Sequence, residues 1–169
     1  MLEELRIRAL GVIDDAVLPL GPGLTVVTGE TGAGKTMVVT GLLLLFGGRA
    51  DPARVRTGAE SASVEGRVRG VPAAVGERVG DAGGELDDGD ELVLRRVVTA
   101  AGRSRAYVGG ASAPVAVLGE LAEHLLAVHG QSDQLRLVRP AAQRAALDRY
   151  AGVELTDFAA AHARWREAA

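Results

Sequence analysis

The sequence predicts an α/β domain in which a buried strand, a glycine-rich loop and a buried helix follow one another. Residues 24–28 are β-branched and bounded by turn residues, which is typical of a strand. Residues 29–36 read Gly-Glu-Thr-Gly-Ala-Gly-Lys-Thr, and residues 37–46 are almost entirely apolar before Gly47 and Gly48. The loop fits the phosphate-binding pattern G-x-x-x-x-G-K-S/T at every fixed position. Together these observations predict a phosphate-loop fold.

The rest of the chain predicts antiparallel strands and short helices, not repeated strand–helix units. Segments that alternate apolar and polar residues are typical of strands with one buried face, and Gly or Pro residues mark the turns between them. The acidic, glycine-rich residues 81–90 predict a solvated connection. The predicted strands are 2–9 (an edge strand), 12–20, 62–71, 92–98, 103–108 and a short buried one at 125–128, and the predicted helices are 73–79, 112–124, 140–151 and 155–169.

Each fixed position of the loop has a physical role in holding phosphate. Glycines let the backbone curl so that several N–H groups point at one anion. Lys35 brings a positive charge to the β- and γ-phosphates, and Thr36 offers a hydroxyl oxygen to Mg²⁺. The following helix adds its free N-terminal N–H groups and the positive end of its dipole. The predicted nucleotide-binding residues are Gly29, Glu30, Thr31, Gly32, Ala33, Gly34, Lys35, Thr36 and Met37.

A chance match to this pattern is the alternative, because the chain contains 23 glycines. The strand before the loop and the helix after it are the context that a phosphate loop requires, so they favour the functional interpretation.

Composition excludes several classes of function. With 169 residues, 47% of them apolar, the chain is long enough for one domain with a substantial core. It has no cysteine and only 3 histidines, which excludes disulfides and thiolate metal sites. The net charge of −3 provides no overall positive field for nucleic acid. A charged N-terminus argues against a signal peptide, and the longest apolar run is too short to span a bilayer. We expect a cytoplasmic chain without a membrane partner.

Seven phrases distributed along the chain identify a family. They are Leu5-Arg6-Ile7-Arg8, the phosphate loop, Gly47-Gly48-Arg49-Ala50, Val55-Arg56-Thr57-Gly58, Leu94-Arg95-Arg96-Val97, Gly102-Arg103-Ser104-Arg105 and His129-Gly130-Gln131. In content and order they resemble the N-terminal half of the RecN family, bacterial DNA-repair ATPases related to SMC proteins. There are two departures. Thr36 stands where the family more often has Ser, and Ser132 to Gln134 replace a segment in which relatives often have a second His.

The resemblance implies an α/β ATPase head of the ABC and SMC type, split by a long antiparallel coiled coil. The N-terminal half would contribute the lobe with the phosphate loop and an antiparallel β-subdomain. The C-terminal half would contribute the signature motif, the acidic strand and a switch His. Two heads would sandwich two ATP molecules in a homodimer that acts with Mg²⁺ at DNA double-strand breaks, in the nucleoid.

The same resemblance suggests two domains. Residues 1–154 would be the N-terminal part of the head, and residues 155–169 would be the root of the coiled coil. Within the second segment Leu155, Phe158, His162 and Trp165 are spaced 3, 4 and 3 apart, as in a heptad stripe. An ordinary amphipathic helix is the alternative, since two heptads do not separate the two. The pattern has no stop signal, so we expect the natural chain to continue past Ala169.

Two residues outside the loop are assigned site roles by the resemblance. Gln131 would be the glutamine that ligates Mg²⁺ and senses the γ-phosphate, so it is predicted to be catalytic together with Lys35; a loop Gln bonded to backbone is the alternative. Arg56 would lie near the nucleotide or DNA, with a solvated arginine as the alternative. His129 is expected to be structural.

Four arginines fall on the predicted hairpin. Alternation places Arg95 and Arg96 on opposite faces. Arg103 and Arg105 share a face and could contact phosphates, although solvated charges are the commoner outcome.

Three functions remain open from the sequence. The first is the ATP-binding portion of a DNA-repair ATPase. The second is a small-molecule kinase, which the antiparallel strands fit poorly. The third is a nucleotide-binding interaction module, because the chain has neither an apolar strand ending in Asp-Glu nor a Leu-Ser-Gly-Gly signature. Without a residue to activate water, this chain alone is expected to be inactive.

Overall fold

A computed structural model describes residues 1–30, 32, 34–87, 90–125, 140–152 and 155–168. The chain divides into two compact units, Met1–Ala127 and Val128–Ala169. The predicted boundary at residue 154 concerns the root of a coiled coil and stays a prediction.

The first unit is built on one antiparallel sheet of six strands in the order β2-β1-β3-β4-β5-β6. The strands are β1 (Leu2–Leu10), β2 (Ile13–Pro19), β3 (Ser61–Arg69), β4 (Glu91–Thr99), β5 (Ser104–Val108) and β6 (Ala111–Ala113). The helices of this unit are α1 (Lys35–Leu45), α2 (Ala73–Asp81) and α3 (Val115–Leu125), with a 3₁₀ turn at Pro52–Arg54.

One face of the sheet forms the core because its strands alternate buried and half-exposed residues. The helices of this unit cover the inner face, and α1 lies close to it at Gly41. A Cβ at Gly41 would lie 2.9 Å from Cδ1 of Ile7, so a larger residue would require the Ile7 side chain or the helix to shift. The largest buried side chains are Leu5, Ile7, Leu10, Leu45, Leu92, Leu94, Leu118, Leu121, Val64, Val75, Val79 and Val108.

The outer face of the sheet is held by ion pairs between neighbouring strands. Arg67 and Arg69 on β3 donate to Glu91 on β4 at 2.7 and 2.8 Å, and Arg6 on β1 donates to Asp15 on β2 at 2.7 Å. The hydrogen bonds from Arg69 and Arg67 hold the pKa of the Glu91 carboxyl below its usual value. These ion pairs link β3 to β4 and β1 to β2.

Arg96 interrupts the apolar inner face. Its side chain is only 4% exposed, and its Nε and Nη1 atoms have no hydrogen-bond partner among the described residues. It pairs with Val64 on β3 and Ala106 on β5, so its charge lies between apolar neighbours. Burial lowers the pKa of this guanidinium.

Most predicted elements are confirmed, but four predictions are wrong. The first strand is not an edge strand, because β1 pairs with β2 on one side and β3 on the other. Ser112 lies in the short strand β6, and the helix begins only after Pro114. At the predicted strand 125–128, Leu125 is the last residue of α3, and residues 126–128 lie outside the described part.

The fourth error concerns residues 24–28, which were predicted to form a buried strand. They are irregular and exposed, with Leu24 at 90% and Val26 at 67% of their full accessibility. A strand persists only where a neighbour completes its hydrogen bonds, and no strand within the described residues pairs with this segment.

The described residues of the second unit form the helices α4 (Pro140–Ala151) and α5 (Thr156–Ala168). Both were predicted. On α5 the rings of Phe158 and His162 stack at 5.9 Å, and His162 lies 5.7 Å from the ring of Trp165. Phe158 and Trp165 are 63% and 64% exposed, so the predicted stripe is an exposed aromatic row on this helix.

Replacing Arg96 by methionine is expected to stabilise the first unit. The change keeps a long side chain but removes a buried charge with two unpartnered nitrogens among the described residues, so the free energy of unfolding should rise by about 1 to 3 kcal/mol. Urea unfolding followed by circular dichroism measures this. Arg95→Met, on the exposed face of the same strand, is the control and should change little. A destabilised Arg96→Met would show that the guanidinium is compensated.

Candidate nucleotide site

The site is organised by the first turn of helix α1. Gly34 precedes the helix in the left-handed region, with φ at +101°, a conformation that favours glycine. The N–H groups of Met37 and Val38 both donate to the Gly34 carbonyl, at 2.9 and 3.1 Å. The N–H groups of Lys35 and Thr36 come before these first bonds and are therefore directed at the loop, as an anion site requires.

A cavity of about 360 Å³ lies against this helix end. One wall is the loop and the start of α1, and the other is the turn between β1 and β2. At that turn Gly11 has φ at +55°, and a Cβ there would lie 2.5 Å from Sδ of Met37. The contact between turn and helix therefore depends on glycine at position 11. The residues lining the cavity are Gly11, Val12, Gly32, Gly34, Lys35, Thr36 and Met37.

Lys35 places its ammonium group over the loop. Its Nζ donates to the carbonyl of Gly29 and, at 2.7 Å, to the carbonyl of Glu30. An ammonium has three N–H donors, so one remains for a phosphate while two fix the side chain. Lys35 is also the only lysine among the 169 residues, whereas every other long cationic side chain is an arginine.

A short backbone clip fixes the β1–β2 turn beside the cavity. The N–H of Gly11 donates to the carbonyl of Arg54 at 2.7 Å, and the N–H of Arg56 donates to the carbonyl of Ala9 at 2.9 Å. Ala9 adopts a positive φ of 51°, which is uncommon outside glycine and is a strain that surrounding structure must hold.

Arg56 adds its side chain to the same clip. Its Nη1 donates to the carbonyl of Val12 at 2.8 Å and approaches that of Gly11 at 3.4 Å, and its Nε lies 3.8 Å from the carboxylate of Asp14. Arg56 is thus brought beside the cavity, but its guanidinium holds the cavity wall and is not a fully solvated charge.

A second connection runs from the loop helix to the 3₁₀ turn. The hydroxyl of Thr40 donates to the carbonyl of Thr36 at 2.8 Å and accepts from Nη1 of Arg54 at 2.9 Å. The Thr36 side chain remains exposed at the cavity, where its hydroxyl is available to a cation. Between α1 and residues 48–54 lies a further cavity of about 530 Å³.

The structure brings together most of the predicted site residues. Lys35, Thr36 and Met37 share the cavity with Gly32 and Gly34, and Gly29 and Glu30 bind the lysine. The predicted site residues Thr31, Ala33 and Gln131 lie outside the described residues. Among the described residues, no group of three or more His, Cys, Asp or Glu side chains is placed to hold a metal ion.

Two sets of residues at the site were not predicted from the sequence. Gly11 and Val12 form a cavity wall although they lie far from the loop in sequence. Thr40 and Arg54 connect α1 to the 3₁₀ turn. Thr40 could have been found from its spacing, because it follows Thr36 by four residues and shares its helix face. No pattern in the sequence indicated that Gly11 and Val12 would form a wall of the cavity.

Comparison with known proteins places this site in a family. A model described as an AAA domain matches residues 4–93. The DNA repair protein RecN of Streptomyces coelicolor is 64% identical over 150 residues, which cover 88% of this chain and 26% of that protein. RecN of Vibrio cholerae is 36% identical over 99% of this chain and 30% of its own length. The chain thus spans between a quarter and a third of these relatives.

Solved structures show the same fold. A chain from a study of ATP-driven dimerization and DNA-stimulated activation of SMC ATPases superimposes with a TM-score of 0.61 at 22% identity, covering 87% of this chain and 97% of that one. The recombination mediator RecF bound to ATP superimposes with a TM-score of 0.58 at 20% identity, covering 88% and 38%. The predicted head fold is thereby confirmed.

No helix among the described residues is long and apolar enough to cross a membrane.

The resemblance to RecN, first drawn from seven short phrases, holds over most of the sequence. The chain therefore belongs to the AAA domain family, and within it the chain matches the N-terminal part of RecN proteins.

Proposed function

We propose that this chain is the ATP-binding portion of the head of a RecN-type ATPase that acts in recombinational repair of DNA double-strand breaks. The observation that carries the proposal is the cavity at the N-terminus of α1, where the described glycines of the phosphate loop, a fixed lysine and an exposed threonine hydroxyl converge. The similarity to RecN proteins of two distant bacteria supports the biological context.

Each residue of the cavity has a role toward ATP. The N–H groups of Lys35 and Thr36 bind phosphate oxygens, and the lysine ammonium neutralises the β- and γ-phosphates. The Thr36 hydroxyl and Gln131 would hold Mg²⁺, which supplies charge neutralisation between those phosphates. Val12, at 59% exposure, offers an apolar surface at the β1–β2 turn to the rest of the nucleotide. Arg56 positions that turn.

The remainder of the head is the first partner that this arrangement requires. None of the described residues that line the cavity has a carboxylate, which favours a water-activating group that comes from elsewhere in the assembly. The apolar residues Leu24, Val26 and Val27 lie exposed directly before the loop. A C-terminal half of the head would cover them and complete the site. Two such heads would then dimerise on ATP and engage DNA ends in the nucleoid of the cytoplasm.

The same lack of a carboxylate favours one alternative function. A nucleotide-binding module that assembles with a partner but does not hydrolyse ATP needs the phosphate loop only. Steady-state ATPase activity of the complete protein separates the two, since the module would bind ATP without turning it over.

Replacing Lys35 by alanine is expected to abolish ATP binding or turnover in the complete protein, because the charge on the β- and γ-phosphates then goes unanswered. Titration with a fluorescent ATP analogue and a phosphate-release assay measure the two. Arg78→Ala, on α2 and away from the cavity, is the matched control for loss of one cation. Normal turnover in the Lys35 variant would overturn the site assignment.

Replacing Arg56 by alanine is expected to weaken ATP binding several-fold. The variant loses the bonds to the carbonyls of Gly11 and Val12 and so loosens the cavity wall, at a cost of about 1.5 to 3 kcal/mol for a charged hydrogen bond. The ATP titration is repeated beside Arg8→Ala, an arginine on β1 that pairs with Asp15. An unchanged dissociation constant would show that the clip does not support the nucleotide site.

Replacing Gln131 by alanine is expected to spare ATP binding but to slow hydrolysis more than tenfold, which corresponds to about 1.4 kcal/mol of activation free energy. Single-turnover hydrolysis at saturating ATP measures the chemical step. An unaltered rate would remove Gln131 from the site.

A further inference from the structure

The outer face of the sheet has three arginines that differ from the rest. Arg95 on β4, Arg103 in the β4–β5 turn and Arg105 on β5 are exposed. Unlike the other arginines of this face, they have no ion pair or side-chain hydrogen bond within the described part of the chain. We call these three residues the β4–β5 arginine strip.

Neighbouring arginines on the same face are already neutralised. Arg67 and Arg69 share the carboxylate of Glu91. Arg6 and Arg8 share Asp15, with Arg8 at 3.4 Å. The strip is therefore where positive charge on this face remains free, although the chain as a whole carries a net charge of −3.

The strand register places the strip on one face. Arg95 lies opposite Tyr107, and Val97 lies opposite Arg105, so Arg95 and Arg105 are diagonal neighbours, with Cα atoms about 7 to 8 Å apart. The N–H of Thr99 donates to the carbonyl of Arg103 at 2.8 Å, which continues the ladder to the turn. The three arginines thus lie on two strands that are hydrogen-bonded to each other up to the turn.

The acidic residue that faces the strip across the β3–β4 ladder pairs with another arginine. Glu65 lies opposite Arg95, but its Oε1 lies 3.8 Å from Nη2 of Arg67. The strip therefore offers exposed positive charge to a ligand with several anionic groups in a row.

A row of arginines on a sheet fits a phosphate backbone. Each guanidinium has five N–H donors in a planar fork that matches phosphate oxygens, and contacts of this kind position a protein on duplex DNA without reading its sequence. Single strands, in contrast, are held by stacking of bases on aromatic rings. The face offers one such ring next to the strip, the half-buried Tyr107.

We propose that the β4–β5 arginine strip binds the phosphate backbone of duplex DNA independently of sequence. The inference rests on the proposed function, because it assigns to named residues of the head the DNA contact that a repair ATPase requires. The inference goes beyond the proposed function because it places that contact on the outer face of the sheet, on the side opposite α1, α2 and α3.

The test uses the complete protein and a fluorescein-labelled 30-base-pair duplex. Binding is followed by anisotropy at several salt concentrations for wild type, for Arg95→Gln/Arg103→Gln/Arg105→Gln, and for a control with the same loss of charge, Arg78→Gln/Arg164→Gln/Arg166→Gln. Each phosphate contact contributes about 0.9 to the slope of log K against log salt. The strip variant should lose about 2 to 3 from this slope and bind at least about tenfold more weakly, while the control keeps the wild-type slope.

The outcomes separate the inference from the function on which it rests. Equal slopes in the strip variant and wild type overturn the strip, as does an equal loss in strip and control variants, which would reflect net charge alone. A loss seen only with a single-stranded probe also overturns it, since the proposal is a duplex contact. If wild type itself binds no DNA while it binds ATP, the DNA-repair function fails as well. Matching thermal midpoints verify that all variants are folded.

Discussion

The packing of helix α1 on the inner face of the sheet is the constraint on which the rest of the structure depends. Gly41 lets the helix approach so closely that a Cβ at this position would lie 2.9 Å from Cδ1 of Ile7, and the α1 residues Leu44 and Leu45 are buried in the core. Because these contacts hold the helix on the sheet, they also position its N-terminus. The free N–H groups of Lys35 and Thr36 are therefore held in place before any phosphate arrives, which reduces the ordering that binding requires.

Arginine side chains make many of the ion pairs and charged hydrogen bonds of this chain, and their role changes with their surroundings. Arg54 and Arg56 donate to a hydroxyl and to backbone carbonyls and so attach the cavity wall to the rest of the head. Arg67 on β3 pairs with Glu91 on β4, and Arg96 is buried with its Nε and Nη1 atoms unpartnered among the described residues. The side chain is the same in each case. What differs is whether the side chain faces a carboxylate, a carbonyl or only apolar surface. The arginines of the β4–β5 strip face none of these within the described part of the chain and remain exposed.

The sequence pattern predicted the features that depend on neighbouring residues, such as the face of a strand on which a side chain lies. Alternation placed Arg95 and Arg96 on opposite faces, and the loop pattern placed a helix directly after the loop; both predictions are confirmed, although the helix begins at Lys35 and not at residue 37. Partners distant in sequence were not predictable in the same way. No periodicity indicated that Arg56 would hold the carbonyl of Val12, 44 residues away. Residues 24–28 have the composition of a strand, but composition gives only a propensity, and the neighbouring strand decides whether a ladder forms.

That failed strand also bears on function. Its β-branched residues suit a central strand, yet Leu24, Val26 and Val27 are exposed here, and Val39 and Leu43 on α1 are exposed at 51% and 47%. Soluble proteins rarely leave such apolar surface uncovered next to a binding site. On the proposed function the same missing half of the head would cover this surface, pair with the strand and bring the carboxylate that the cavity lacks. Nucleotide binding and completion of the fold would then be coupled, because the segment that requires a partner strand leads directly into the loop that holds the phosphates.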